Sequence, residues 1–289
     1  MSIVVTGATG SFGRLAIEAL LRRGIPATEI IAVGRNSDRL AELAELGVTV
    51  RRADYDDPAS LRAAFAGASR LLFVSGSEVG QRIGQHEAVV RAAQDAGVEL
   101  VAYTSAPKAE TSDMVLAEEH RATEHALIES GLPYVFLRNG WYIENYTARL
   151  PVILEHGLIG AAGDGLISMA ARAELAEAAA VVVAGQGHEN QVYELGGDSH
   201  TLAELAAEIS RASGRAVSYT DLSEEAYIEA LTGAGLPGPI AAVLADSDRA
   251  AAKGALHVEG DDLARLLGRP VTPLAEVIRS ALPQPADGS

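Results

Sequence analysis

Cysteine is absent from the chain, which excludes disulfides, thiolate nucleophiles and sulfur-rich metal sites. Lysine is nearly absent as well: Lys108 and Lys253 are the only two among 23 basic side chains. Aromatic residues make up 4%, so Ala, Val, Leu and Ile must fill most of any core. Positive charge is in deficit, and the formal net charge is -16. That balance argues against the basic footprint a nucleic-acid partner requires and against docking on anionic lipid. Long hydrophobic runs are missing too. The most apolar later stretch, Ala178 to Ala184, falls far short of the ~20 residues of a membrane helix, so neither nucleic-acid binding nor membrane insertion is expected. No His/Asp/Glu set has convincing metal-ligand spacing, so no metal is expected. There is no Gly-x-Ser-x-Gly nucleophile elbow either. Met1-Ser2 leads straight into the apolar run Ile3-Val4-Val5, with no basic segment followed by an apolar one. A cytoplasmic location is the expectation.

What is present is an ordinary globular composition, 48% hydrophobic over 289 residues, enough for one large domain or one plus a modest appendage. The first half alternates short β-rich runs with helical stretches. The expected strands are Ile3–Thr6, Glu29–Val33, Val48–Arg52, Arg70–Ser75, Val98–Thr104 and Tyr134–Leu137. Between them lie helical patterns at Phe12–Arg23, Asp38–Leu46, Pro58–Ala66, Gln81–Ala96 and about Met114–Ser130. Near-continuous apolar strands separated by helices predict an α/β, Rossmann-type, doubly wound parallel sheet. After Asn145 come a helical stretch Tyr146–His156, a glycine-rich turn Gly157–Gly165, a short strand near Leu166–Met169, an alanine-rich helix Arg172–Ala184 and a strand Val192–Leu195. Thr201-Leu-Ala-Glu204 has the form of a capping box, and helices dominate from there, with a frayed tail expected over Pro283–Ser289. The expected division is a Rossmann domain over 1–150 plus about 170–198. A smaller, mostly helical C-terminal capping subdomain, 151–169 and 199–289, would pack on it.

The segment Thr6-Gly7-Ala8-Thr9-Gly10-Ser11-Phe12-Gly13 follows a strand and opens a helix. In that context Gly7 permits a tight turn, Gly10 lets backbone approach a pyrophosphate, and Gly13 allows close helix–sheet packing. The free N–H groups of the helix start would face phosphate oxygens. The second strand ends Ala32-Val33-Gly34-Arg35, with no acid where NAD sites usually carry one. Arg35 could take a 2′-phosphate bidentately, which favours NADP(H) as the cofactor. It could also be a solvated arginine at a helix start. Ser75-Gly76-Ser77 at the end of the fourth strand would leave room for a ribose, and Asp54-Tyr55 after the third would meet the adenine. Both stretches serve equally well as turn devices.

Many short-chain dehydrogenases move a proton with a Tyr-x-x-x-Lys pair, and no tyrosine here has a lysine four residues on. By spacing, Leu116 stands at the tyrosine position and His120 at the lysine position. His120 could bond a ribose hydroxyl or a substrate oxygen, or lie on a solvated helix face. His86 and His125 read as structural or exposed. Asn139-Gly140 caps the sixth strand, where a nicotinamide should lie, and Trp141 and Tyr142 would wall a flat apolar slot or form the hinge to the cap.

Several stretches together resemble a known group: Thr-Gly-Ala-Thr-Gly at 6–10, Ser-Gly-Ser-Glu-Val-Gly-Gln-Arg at 75–82, Ala-Tyr-Thr-Ser at 102–105, Leu-Arg-Asn-Gly-Trp-Tyr-x-Glu-Asn-Tyr at 137–146, Gly-Ala-Ala-Gly-Asp-Gly at 160–165 and Leu-Ala-Asp-Ser-Asp at 244–248. The chain is similar to the bacterial NAD(P)H:quinone oxidoreductase type 2 proteins, atypical short-chain dehydrogenases of the NmrA-like group. The resemblance implies a cofactor held by Gly7, Ala8, Thr9, Gly10, Ser11 and Phe12, by Arg35, and by Ser75, Gly76 and Ser77. It also implies that Asn139, Gly140, Trp141, Tyr142, Ile143 and Glu144 contribute at the nicotinamide end, with Arg172 closing the site. The activity implied is two-electron reduction of a small planar quinone by NADPH. Protonation would come from water or from a donor such as Asn139, Tyr103 or His120. The alternative is an NmrA-like redox sensor that binds NADP(H) without chemistry and acts through a protein partner; ketone reduction is disfavoured by Leu116. Whether the chain forms a homo-oligomer is left open by its sequence.

Overall fold

The computed structural model describes residues 1–282, and the tail Pro283–Ser289 lies outside the described residues. The first half runs β1 (Ile3–Val5), α1 (Ser11–Arg22), β2 (Ile30–Gly34), α2 (Ser37–Ala44), β3 (Thr49–Arg52), α3 (Pro58–Phe65), β4 (Arg70–Phe73), α4 (Arg82–Asp95), β5 (Leu100–Ser105), α5 (Val115–Ser130) and β6 (Tyr134–Asn139). The second half continues with β7 (Trp141–Tyr142), α6 (Glu144–Thr147), α7 (Leu150–His156), β8 (Leu158–Gly160), β9 (Ile167–Ala170), α8 (Arg172–Ala184) and β10 (Gln191–Leu195). It ends with β11 (Ser199–His200), α9 (Leu202–Ser213), β12 (Tyr219–Asp221), α10 (Glu224–Gly233), α11 (Gly238–Ala251), α12 (Asp262–Leu267) and α13 (Leu274–Ala281).

Seven parallel strands form one sheet in the order β10-β6-β5-β4-β1-β2-β3. β1, β2 and β5 are buried along their whole length, as strands covered on both faces must be. β3, with its Thr-Val-Arg-Arg sequence, is the partly exposed edge strand. One face packs against α1 and α8, joining Ala16, Ile17 and Leu20 to Ala176, Ala179 and Val183. The other face packs against α3, α4 and α5 through Leu61, Phe65, Val89, Ala93 and Leu127. α8 carries almost no polar face, and its alanines 176, 178, 179 and 180 are wholly enclosed, as a helix apolar all round must be. Small side chains let it approach α1 closely, while Val182 and Val183, also enclosed, each contribute roughly 1.5–3 kcal/mol of burial.

A second apolar core lies outside the sheet and joins Met114, Ile143, Leu150, Leu158, Met169, Leu205 and Ile278. Between the two cores runs a small sheet in the order β11-β9-β7. The capping box is present: Thr201 Oγ1 accepts the Glu204 N–H at 3.1 Å and Glu204 accepts the Thr201 N–H at 2.8 Å. Helices dominate the remainder, but with short strands between them that the sequence pattern did not reveal. The stretch Gly157–Gly165, expected as a turn, contains β8, which pairs in parallel with β12. Strands of two or three residues are too short to carry an alternating pattern, which is why β8, β11 and β12 escaped the sequence reading.

A nearly enclosed ion cluster ties β5, α5, β6 and β10 together. Arg138 donates to both oxygens of Glu124 at 3.0 and 2.6 Å and to Glu194 at 3.2 Å, and the Ser105 hydroxyl also donates to Glu124. Glu124 is 1% exposed. Arg138→Met should therefore strand a carboxylate in the core and cost about 3–5 kcal/mol in urea unfolding, and adding Glu124→Gln should recover part of it. A loss within about 1 kcal/mol, the range of surface pairs, would rule out that role.

Asp248 on α11 is equally enclosed and accepts the Ala161 N–H at 2.9 Å. Burial pushes its carboxyl from the usual 3.8 to about 6, only partly offset by that hydrogen bond. A folded-state value above the unfolded one favours the native state at low pH. That contribution is lost as pH rises, between about pH 4 and about pH 6, because the unfolded chain ionises first. Asp248→Asn should flatten that segment of the stability–pH curve in a urea series. A curve parallel to wild type would contradict the assignment.

Candidate active site

The strand order reverses around β1, whose neighbours are β2 and β4, and the carboxyl ends of strands at such a point form the natural ligand crevice. A cavity of about 390 Å³ lies there, bounded by the β1–α1 turn, the ends of β2 and β4, and Arg172. Gly7 has φ +59°, and a Cβ on Gly13 would lie 2.4 Å from the Gly7 carbonyl oxygen. Without side chains at these two positions α1 settles directly onto the turn. No side chain caps α1 and its first turn holds no acid. Its leading N–H groups, which have no partner inside the helix, are thus left to the cavity. Thr9, Gly10, Ser11 and Phe12 line it. Ala8 does not: it is fully buried and its N–H donates to Val33 at 3.0 Å, so it shapes the turn from behind.

Arg35 lies beyond β2 and lines the cavity, its Nη1 2.6 Å from Glu78 Oε1 and 4.0 Å from Asp54. Arg39 donates to the Thr9 carbonyl at 3.0 Å and Arg52 to the Arg35 carbonyl at 3.3 Å. Asp54 and Tyr55 also face the cavity. The Tyr55 hydroxyl donates to the Val74 carbonyl at 2.7 Å, which fixes the ring as part of the wall.

The Ser75-Gly76-Ser77 loop is held from behind by a polar clamp that the sequence reading missed. The Gly76 N–H donates to His86 Nε2 at 3.0 Å, and the Gly76 carbonyl accepts from Arg82 Nε at 2.5 Å. Arg82 pairs with Glu119 at 3.1 Å, and Glu119 also accepts the Gly80 N–H at 2.8 Å. Burial, with Arg82 nearby, pushes the His86 imidazole down to about 3, so it is neutral at working pH. Its tautomer follows from the network. Thr123 gives its hydroxyl proton to the Glu119 carbonyl, so its oxygen accepts Nδ1–H from His86, leaving Nε2 free to accept from Gly76. Arg82 and His86 lie on α4 and Glu119 on α5, and only the packed structure brings them together.

Asn139, at the end of β6, does not line the cavity: it is 6% exposed, its Nδ2 reaches the Tyr142 hydroxyl at 3.4 Å, and its Oδ1 is buried without a partner. Tyr142 sits 6.2 Å from Phe12, with the Arg172 guanidinium 4.8 Å above its ring. The other residues of that stretch do different work. A Cβ on Gly140 would fall 2.7 Å from the Ser168 carbonyl oxygen, so Gly140 is required by packing. Trp141 and Ile143 turn into the second core. Glu144 takes the Arg172 N–H with both carboxylate oxygens, at 2.9 and 3.0 Å, capping α8 and reaching the cleft only through Arg172.

Two of the candidate proton donors are engaged with each other. Tyr103 is wholly buried and shares a 2.7 Å hydrogen bond with His120 Nδ1. Burial raises the tyrosine pKa and lowers that of His120, which is itself only 8% exposed rather than solvated. Neither lines the cavity. Leu116, at the usual tyrosine position, packs on the second core. His86 is structural, while His125 is exposed near Glu110.

Comparison with known proteins agrees with this geometry. Residues 7–184 match the NAD(P)H-binding family. The chain is 51% identical to quinone oxidoreductase 2 of Escherichia coli K12, over 96% of this chain and 97% of that protein. The crystal structure of an Escherichia coli NADPH-dependent quinone oxidoreductase complexed with NADPH superimposes with a TM-score of 0.93 at 50% identity, covering 96% of this chain and 99% of the other. The Citrobacter triphenylmethane reductase complexed with NADP(H) gives 0.92 at 42% identity, covering 97% and 100%. The chain belongs to the NAD(P)H-binding family, in the NmrA-like group of atypical short-chain dehydrogenases that its sequence resembles.

Proposed function

We propose that the chain catalyses the NADPH-dependent two-electron reduction of quinones. The observation that carries this reading is a cleft over the glycine turn that reaches Arg35, the serine loop and Arg172, in a chain with no Tyr/Lys proton pair. The near full-length similarity to a quinone oxidoreductase supports it. The residues fit NADP(H): an uncapped helix start, glycines that let the turn pack tightly beneath it, an arginine beyond β2, and an orphaned acceptor on Asn139 at the end of β6. In this assignment the N–H groups of Ser11 and Phe12 hold the pyrophosphate, since that of Gly10 donates to the Gly7 carbonyl; Arg35 holds the 2′-phosphate, and Asp54 and Tyr55 border the adenine. Ser75 and Ser77 meet ribose, and Asn139, Tyr142 and Arg172 orient the nicotinamide end. NADPH supplies the hydride when bound, and a quinone accepts it without a strong acid because the product ring gains aromaticity and spreads the charge. A proton from solvent completes the hydroquinone, which suits a cleft whose tyrosine and histidine neighbours are turned inward. Phe12, on the cavity wall, meets Tyr142 at a 37° tilt, an apolar corner against which a planar acceptor can rest.

We further infer that the region 1–150 with 170–198 carries the cofactor, and that 151–169 with the described residues from 199 onward, 199–282, covers the acceptor. The enzyme is taken to be cytoplasmic and to meet its quinone as a small diffusing molecule. Its charge of -16 would oppose anionic lipid, and no helix among the described residues is long and apolar enough to cross a membrane.

Purified chain should oxidise NADPH in the presence of small benzoquinones or naphthoquinones, followed by NADPH absorbance. Gly10→Glu, which sets a Cβ 3.2 Å from the Gly7 carbonyl oxygen and adds a negative charge at the start of α1, should fall to the background rate. NADPH binding with no quinone-dependent oxidation would overturn the enzyme reading in favour of a sensor. Removing the guanidinium in Arg35→Ala should raise KM for NADPH about tenfold or more, the scale of a charge-assisted hydrogen bond of about 1.5–3 kcal/mol. KM for NADH should change little, and parallel changes for both cofactors would exclude Arg35 as the 2′-phosphate ligand.

A further inference from the structure

The guanidinium assigned to the 2′-phosphate already has an anionic partner. Arg35 Nη1 is 2.6 Å from Glu78 Oε1. Glu78 follows β4 and Arg35 follows β2, so the contact bridges the two strands that flank β1, across the rim of the cavity both residues line. Glu78 does not depend on Arg35 alone. Its other oxygen accepts from Gln85 Nε2 at 3.2 Å, and the same amide reaches the Asp56 carboxylate at 3.1 and 3.2 Å. Gln85 is 5% exposed, which fixes this second anchor. Arg35 is thus paired with Glu78 and 4.0 Å from Asp54, while the nearby Arg39 and Arg52 donate to backbone carbonyls instead.

We infer that Glu78 is a specificity-determining residue: its carboxylate occupies the guanidinium of Arg35 in the free protein and competes with the 2′-phosphate of NADP(H) for it. The inference rests on the cofactor assignment above. A 2′-phosphate carries nearly twice the charge of a carboxylate and three acceptor oxygens, so it displaces Glu78, which keeps its bond to Gln85. When the oxidised cofactor leaves, Glu78 returns to Arg35 and no bare guanidinium has to form. A dinucleotide without the 2′-phosphate leaves the pair undisturbed. The competition thus weakens binding of the phosphorylated cofactor selectively, and narrows its advantage over the unphosphorylated one.

The test is equilibrium titration of the full chain with 2′,5′-ADP and with 5′-AMP, which differ only in the group under dispute, followed by NADPH and NADH. Ion pairs of this exposure shift an equilibrium by a factor of about two to five. Both Glu78→Gln and Glu78→Ala should bind 2′,5′-ADP and NADPH about two- to fivefold more tightly than wild type, while 5′-AMP and NADH change less than twofold. Unchanged or weaker affinity for 2′,5′-ADP, or an equal gain for both probes, overturns the inference and leaves the cofactor assignment standing. A wild-type chain that binds neither 2′,5′-ADP nor NADPH overturns both together.

Discussion

A methyl group on Gly13 would press into the carbonyl of Gly7 and the Cα of Ala8, and the site assembles around that missing carbon. With the space clear, α1 begins directly over the strand ends, and a helix start with no cap presents its dipole and N–H groups to the cavity. The position of α1 is held from behind by α8, whose alanines allow close contact. The start of α8 is in turn capped by Glu144, which brings Arg172 to the far side of the same cavity. Each wall of the cleft thus leans on another, and the chain closes the circuit between its first turn and residue 172.

The electrostatics are local rather than global. A chain of charge -16 repels a polyanionic ligand at long range, but at physiological salt that field is screened beyond about 8 Å. Close in, backbone dipoles and guanidinium groups decide the outcome. Buried ionisable groups around the cleft are resolved either by pairing, as Arg82 with Glu119, or by remaining neutral, as His86 does. The serine loop is therefore held by a network with a single workable proton arrangement, which fixes its shape without placing a mobile charge beside the cofactor cleft.

Much of this was legible in the residues because it depends on local chemistry. Strand–helix alternation, the glycine turn and Arg35 at the end of β2 are short-range patterns, and the resulting seven-stranded sheet follows from them. The helix Arg172–Ala184 coincides with its expected limits because a helix apolar on all sides, ending at Gly185, has clear boundaries. What escaped depends on distant partners. Glu119 meets Gly80 across 39 residues, and nothing near either residue announces it. Within 139–144 the sequence motif treats six residues alike, whereas packing separates them: Gly140 and Ile143 fill space, Glu144 caps a helix, and Asn139 keeps a free acceptor. Tyr103 and His120 carry suitable chemistry, but they satisfy each other inside the core.

The polypeptide passes between its two apolar cores at β7, at β9 and again at β11, and these three passages are hydrogen-bonded to one another. A joint built from one strand can swing like a door. A joint built from three laced strands cannot rotate without tearing its own ladder, so relative motion of the cores is confined to small sliding displacements. Entry of a flat acceptor then falls to side chains and loops at the lip of the crevice, not to a clamshell opening of the whole molecule.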